Sequence, residues 1–352
     1  MRSAWRGWRL DGIDDGRLPG RTGVPDRGIS ARLAGPLHSG AATLIEMLDR
    51  IGKALAVVLL ALAFPSGALA NDDPHILVLG RISDNPQAHY EQLKPLLDYV
   101  VPRMRDVGIT EGRILMARDA RQMASYLRRG RVDWVTETAG TAVQLQRQAR
   151  AQPLLITERD GVSHYHTVFF ARRDSSIGSL PDLRGHSIAF QNAASTSAYF
   201  VPAAELLQRG LPMEILLSPM DRPAAGSVGY LFARSELNIA TWVDKRLVDA
   251  GVMSNLDWDN PLRMPPAYRR DMKVIHKTAD YPRALEMVRG DLDARVRERL
   301  QQVLAEAASD PDAREPLLRF FKTTRFLPID EQGRQALESL GEGVARVGKE
   351  IE

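Results

Sequence analysis

The chain has 352 residues, 44% of them apolar, enough to bury the cores of two domains and to exclude wholesale disorder. It has no cysteine, which excludes thiol catalysis, disulfides and cysteine-bound metal and permits an oxidising compartment. The net charge of +3 resides in residues 1–70, which hold nine of the 47 basic and six of the 44 acidic residues; the rest carries 38 of each and shows no electrostatic footprint for nucleic acid.

Residues 1–46 are rich in Arg, Gly and Pro without a sustained period. From Met47 the pattern changes. Arg50 and Lys53 precede an eleven-residue apolar run, and Ala68-Leu69-Ala70 follows with small residues at the cleavage spacing. Residues 47–70 therefore read as a secretory signal peptide, with the mature chain beginning near Asn71. Because such a signal belongs at an N-terminus, residues 1–46 read as a mis-assigned or disordered extension. The competing reading is a cytoplasmic extension before an uncleaved anchor, for which the apolar run is short.

Beyond Asn71, strands alternate with amphipathic helices. Residues 75–80 make a buried strand, and residues 90–107 carry Leu93, Leu96, Leu97, Val100, Val101 and Met104 at helical spacing. A strand at 113–117, a helix at 119–129, a strand at 132–135 and a helix opened by Thr136-Glu137-Thr138 complete a βα series. Strands at 153–157 and 165–171 lead into a second series. That series has strands near 187–190 and 213–217, a helix spanning about 231–245, a strand at 247–253 and a strand at 272–277. Beyond Asp291 the chain reads as three helices, at 291–307, 312–321 and 330–349.

The most informative stretch runs from Arg184 to Leu207. A short apolar strand, Ser187 to Phe190, turns at Gln191-Asn192 and presents Ser195-Thr196-Ser197 ahead of an apolar helix. The first turn of a helix has free backbone N–H groups and a partial positive charge, and hydroxyls there add donors, so such a corner accepts an oxyanion. The plainer reading is that these hydroxyls only cap the helix. Thr136-Glu137-Thr138 is a second corner of the same kind, one per series. Two helix starts facing each other across a cleft would close on one anion.

The order of these pieces resembles the periplasmic phosphate/phosphite/phosphonate-binding proteins of ABC importers, from about His75 to Ile329. The resemblance is most specific over residues 165–185, in Ser195-Thr196-Ser197-Ala198-Tyr199, in residues 248–251 and in residues 282–292. It implies an α/β, two-lobed type II periplasmic-binding fold, each lobe a mostly parallel sheet flanked by helices. Lobe 1 would comprise residues 71–168 and 275–352, and lobe 2 residues 169–274. It further implies that Ser195, Thr196 and Ser197 hold the ligand oxygens, with Tyr165 lining the cleft.

Departures from that pattern are visible. The first-lobe corner carries Glu137-Thr138 in place of a Gly-Pro pair, a family Tyr falls near Ala120 or Arg121, and a family His near Glu236. A carboxylate at Glu137 would repel a fully ionised oxyanion unless the ligand is protonated or bears an ammonium group; the alternative is that Glu137 faces away and only caps its helix. Asp249 is a further candidate ligand contact, with a solvated turn residue as its plainer reading.

No nucleophile elbow, phosphate-loop lysine or zinc-binding helix motif accompanies these corners. The expectation is therefore binding without catalysis, cofactor or metal. The partners would be a small oxyanion, ABC permease membrane subunits and no nucleic acid, with the chain acting as a periplasmic monomer. The competing functions are a ligand sensor signalling to a membrane histidine kinase or chemoreceptor, with a non-phosphonate or zwitterionic ligand, and an exported phosphoesterase.

Overall fold

The computed structural model describes residues 73–350; the signal-peptide and extension readings fall on residues outside that range. The described chain builds two six-stranded sheets. The first contains β1 (Ile76–Ile82), β2 (Glu111–Ala117), β3 (Trp134–Glu137), β4 (Gln152–Arg159), β13 (Leu285–Val288) and β14 (Thr323–Leu327), in the order β14-β4-β13-β3-β1-β2. The second contains β6 (Thr167–Arg172), β7 (Ser187–Phe190), β8 (Met213–Ile215), β9 (Val228–Phe232), β10 (Ala250–Ser254) and β11 (Met272–Lys277), in the order β11-β6-β10-β7-β9-β8. β1 pairs in parallel with β2 and β3, and β7 with β9 and β10.

The central strands are buried on both faces, which is why they read as continuous apolar runs: Ile76, Leu77, Val78 and Leu79 of β1 are all buried. Helices Pro86–Val100, Ala120–Arg128, Ala139–Ala149 and Ala294–Glu306 flank the first sheet. Helices Val201–Gln208 and Glu236–Asp244 flank the second. The core of the first lobe includes Leu77, Leu93, Leu97 and Leu300; Phe169, Ile188, Leu206 and Ile239 fill the second. Among the described residues no helix is long and apolar enough to cross a membrane.

The chain crosses between the lobes twice, and the two crossings pair with each other. β5 (His164–Tyr165) and β12 (Tyr281–Pro282) form an antiparallel ribbon with Tyr165 opposite Tyr281. The second sheet runs on to Lys277, three residues past the boundary read from the sequence. The C-terminal helix Glu331–Glu350 packs on the Ala139–Ala149 helix of the first lobe and the Val201–Gln208 helix of the second.

Two expectations change. Residues 228–232 form β9, inserted between β7 and β8, where the sequence reading began a helix near Leu231. Residues 323–327 form the edge strand β14, between the helices read at 312–321 and 330–349, where the sequence reading placed no element.

Candidate functional site

Both corners follow the carboxyl ends of parallel strands, β3 in the first lobe and β7 in the second, the ends at which open α/β sheets present ligand sites. Thr138 precedes the Ala139–Ala149 helix in extended conformation and makes no side-chain cap bond to that helix. The position is filled from the other lobe. Gly140 N donates to Thr196 Oγ1 at 3.0 Å, and Thr196 Oγ1 donates to Thr138 Oγ1, also at 3.0 Å. The hydroxyl of one corner thus lies at the helix start of the other.

Gly140 permits this approach. A Cβ there would stand 2.7 Å from Thr196 Oγ1 and 3.1 Å from a ring carbon of Phe200. The second-lobe corner is itself shaped for presentation. Phe200 N bonds Ser195 O, so residues 196–200 form a wide π turn, a local distortion common at functional sites. Ser195 Oγ accepts from Ala198 N at 3.1 Å, the capping role.

Ser197 and Tyr165 meet at the hinge. Thr167 Oγ1 donates to Ser197 O at 2.8 Å and lies 3.0 Å from the Tyr281 hydroxyl. The Tyr165 and Tyr281 rings are 4.7 Å apart, and Ser197 hydrogen-bonds the Tyr165 hydroxyl. Burial pushes that hydroxyl up to about 12, so Tyr165 stays a neutral phenol. Tyr281 and Thr167 were absent from the sequence reading; no local motif marks them, because only the pairing of the two crossings brings them to the corner.

Glu137 lies beside the corner but turns into the first lobe. Its carboxylate accepts from Ile82 N at 2.9 Å and sits 3.1 Å from the Arg81 guanidinium, with the residue 4% exposed. Of the two readings of Glu137, contact with a ligand ammonium group and a side chain facing away, this internal ion pair fits the second. Burial pushes the Glu137 carboxyl above the usual carboxylate range, against the downward pull of Arg81. A carboxyl raised in the fold contributes stability that is full below its unfolded value and lost as pH rises through the raised one. Glu137→Gln, which cannot ionise, should therefore gain stability relative to the unaltered protein between mildly acid and neutral pH. Urea unfolding across that range checks this; a gap opening the other way would show that attraction to Arg81 outweighs burial.

Asp249 is not brought to the corner. It precedes β10 and binds the start of β7, accepting from Ser187 N at 2.8 Å and Ser187 Oγ at 2.9 Å, with His186 Nδ1 at 3.5 Å. The four residues of β7, roughly 13 Å of extended chain, separate it from the Ser195 end. Asp249 ties two strand starts together and corrects the ligand-contact expectation. Glu236, where a family His was expected, opens the Glu236–Asp244 helix behind the Ser235 cap. Among the described residues no cluster of His, Asp and Glu is arranged to hold a metal.

Comparison with known proteins bears on the family and the fold. The family described as "ABC transporter, phosphonate, periplasmic substrate-binding protein" matches residues 79–333. A probable ABC transporter phosphite-binding protein, PhnD1 of Prochlorococcus marinus, is 21% identical over 224 residues, covering 61% of this chain and 71% of that protein. XAC2383 of Xanthomonas citri, solved bound to chloride and bound to ATP, is 57% identical with a TM-score of 0.74, covering 79% of this chain and all of that one. The P. marinus PhnD1 structure in complex with methylphosphonate, 19% identical with a TM-score of 0.53, covers 78% of this chain and all of that one, and shares the fold. The chain belongs to the phosphonate-binding family of periplasmic substrate-binding proteins of ABC transporters.

Proposed function

We propose that the protein is the exported solute-binding component of an ABC importer, which closes its two lobes on a small phosphorus oxyanion and delivers it to a membrane permease. The observation that carries this reading is the convergence of Thr138, Gly140 N and Thr196 on one point between the lobes. A helix start and hydroxyls from both lobes favour negative charge there without a full cation. Ser195 and Ser197 complete the donor set, Tyr165 lines the hinge side, and no side chain at the corner is activated for chemistry. In this reading the signal peptide 47–70 is removed and the mature chain begins near Asn71. Phosphonate, phosphite or phosphate suits the corner, in keeping with the phosphite-binding relative.

A nucleotide is the second reading of the ligand, favoured by the ATP bound to the 57% identical XAC2383. A terminal phosphate would then occupy the same corner.

A thermal-shift panel of phosphate, phosphite, methylphosphonate, 2-aminoethylphosphonate, sulfate and ATP tests both. A ligand at a hundred times its Kd adds about 2.7 kcal/mol of stability. The shift should be given by a phosphorus anion and vanish in the Ser195→Ala, Thr196→Ala double variant. A shift that survives the double variant would sink the corner assignment.

A further inference from the structure

A second concentration of charge lies at the cleft end of the first lobe, formed by β1, β4 and the loop entering β14. Arg159, the last residue of β4, is 9% exposed, and the Arg81 side chain of β1 is 13% exposed. Both guanidiniums lie over one ring, that of Phe321, at 4.6 and 5.1 Å from its centroid. Phe321 and Lys322 hold φ of +54° and +55°, a left-handed conformation strained for two successive residues with side chains. The backbone is bent against its preference to put that ring there.

The surrounding groups leave the pair short of partners. Glu137 engages Arg81 through Nη1, which also donates to Thr136 O at 2.7 Å. Glu286 accepts hydrogen bonds from Trp134, Thr136 and Thr157 and acts on Arg159 only as a counter-charge through space, without a hydrogen bond to it. Arg283 adds a third cation, donating to Arg159 O at 2.6 Å. His89, 5.8 Å from Phe321, is held low by burial and by Arg81 and contributes no charge. Arg159 Nη2 makes a long 3.4 Å contact to Thr136 Oγ1. Among the described residues three buried side-chain polar atoms lack a hydrogen-bond partner, and two of them are Arg81 Nε and Arg159 Nε. Burial, and then the neighbouring Arg81, bring the Arg159 guanidinium down to about 10. Guanidinium forks with donors to spare suit a phosphoryl oxygen, whose charge would also relieve the repulsion between them.

We propose that Arg81 and Arg159 form a second anion subsite, and that the ligand places a second phosphoryl group there, beyond the one at the Thr138–Thr196 corner. Arg81 bonds the carbonyl of Thr136, two residues along the extended chain from Thr138 and on the order of 7 Å away. One ligand with adjacent phosphoryl groups reaches both. This rests on the oxyanion-binding reading of the cleft and narrows its ligand to a diphosphate-bearing molecule.

Titration calorimetry of the purified full-length chain with inorganic phosphate and with pyrophosphate tests it. Pyrophosphate should bind at least about tenfold more tightly, a gap worth 1.4 kcal/mol. The ratio should fall towards one in Arg159→Gln, and in an Arg81→Gln, Glu137→Gln double variant that keeps the buried charges balanced. Phosphate binding with no preference for pyrophosphate, or a preference kept in either variant, overturns the second subsite and leaves the corner standing. Failure of both anions to bind overturns the cleft reading and the subsite with it.

Discussion

Gly140→Val is expected to abolish high-affinity ligand binding while the protein stays folded. The first branch atom of the new side chain would lie 2.7 Å from Thr196 Oγ1 and 3.3 Å from Thr196 Cβ. Thr196 has no room to retreat: it is 3% exposed and fixed in the π turn. Relief comes from separating the lobes, which breaks both the Gly140 and the Thr196–Thr138 bonds. Glycine is a poor helix residue, so valine at position 140 does not weaken the first lobe on propensity grounds. Loss of two hydrogen bonds and of closure should weaken binding about a hundredfold or more, the factor that 2.7 kcal/mol carries. Calorimetry with a ligand from the panel measures it, and circular dichroism follows the fold. Unchanged affinity would mean that the lobes need not approach at this point to hold ligand.

Glu286→Ala is expected to cost about 3–5 kcal/mol, the loss found when one partner leaves a buried charged cluster. Glu286 is fully buried on β13. It accepts from Trp134 Nε1 at 2.6 Å, Thr136 Oγ1 at 2.8 Å and Thr157 Oγ1 at 2.6 Å, tying the strand to both its neighbours. Alanine leaves three buried donors unmet and removes a counter-charge from Arg159. Domains of this kind hold roughly 5–15 kcal/mol in all, so the variant should be marginal. Glu286→Gln keeps an acceptor and should cost less, about 1–3 kcal/mol. Denaturant unfolding of both variants decides; an alanine variant no worse than the glutamine one would show that these bonds contribute little.

Much of the fold was legible because its signals are local. The apolar run of β1, the spacing of Leu93, Leu97 and Val100, and the Ser195–Ser197 corner all sit within a few residues. The missed strands lacked such punctuation. The turn into β14 passes through Phe321 and Lys322 in left-handed conformation, with neither Gly nor Pro to mark it as a hairpin, so the residues between the helices ending at Phe321 and starting at Asp330 were assigned no strand. β9 is divided from its helix by Arg234, again at positive φ, and by the Ser235 cap. At the site, the sequence offered Glu137 without Arg81, 56 positions earlier, and only the alignment of β1 beside β3 unites them. Asp249 was misread for a directional reason. A residue at the start of a parallel strand faces away from the ligand end, and sequence shows the strand more readily than its heading.

The strand order also sets a sequence of events as the chain is made. The second sheet is contiguous and complete once Lys277 has emerged. The first sheet is not, since its middle strand β13 is supplied by residues 285–288 and lies between β3 and β4, both synthesised long before. Until β13 arrives, the inner edges of β3 and β4 are open and the three donors bound by Glu286 are unmet. The later-encoded lobe is thus the first able to finish. The lobe containing the chain's earliest strands finishes last, by inserting a strand between two waiting partners, a long-range pairing of the kind that slows folding.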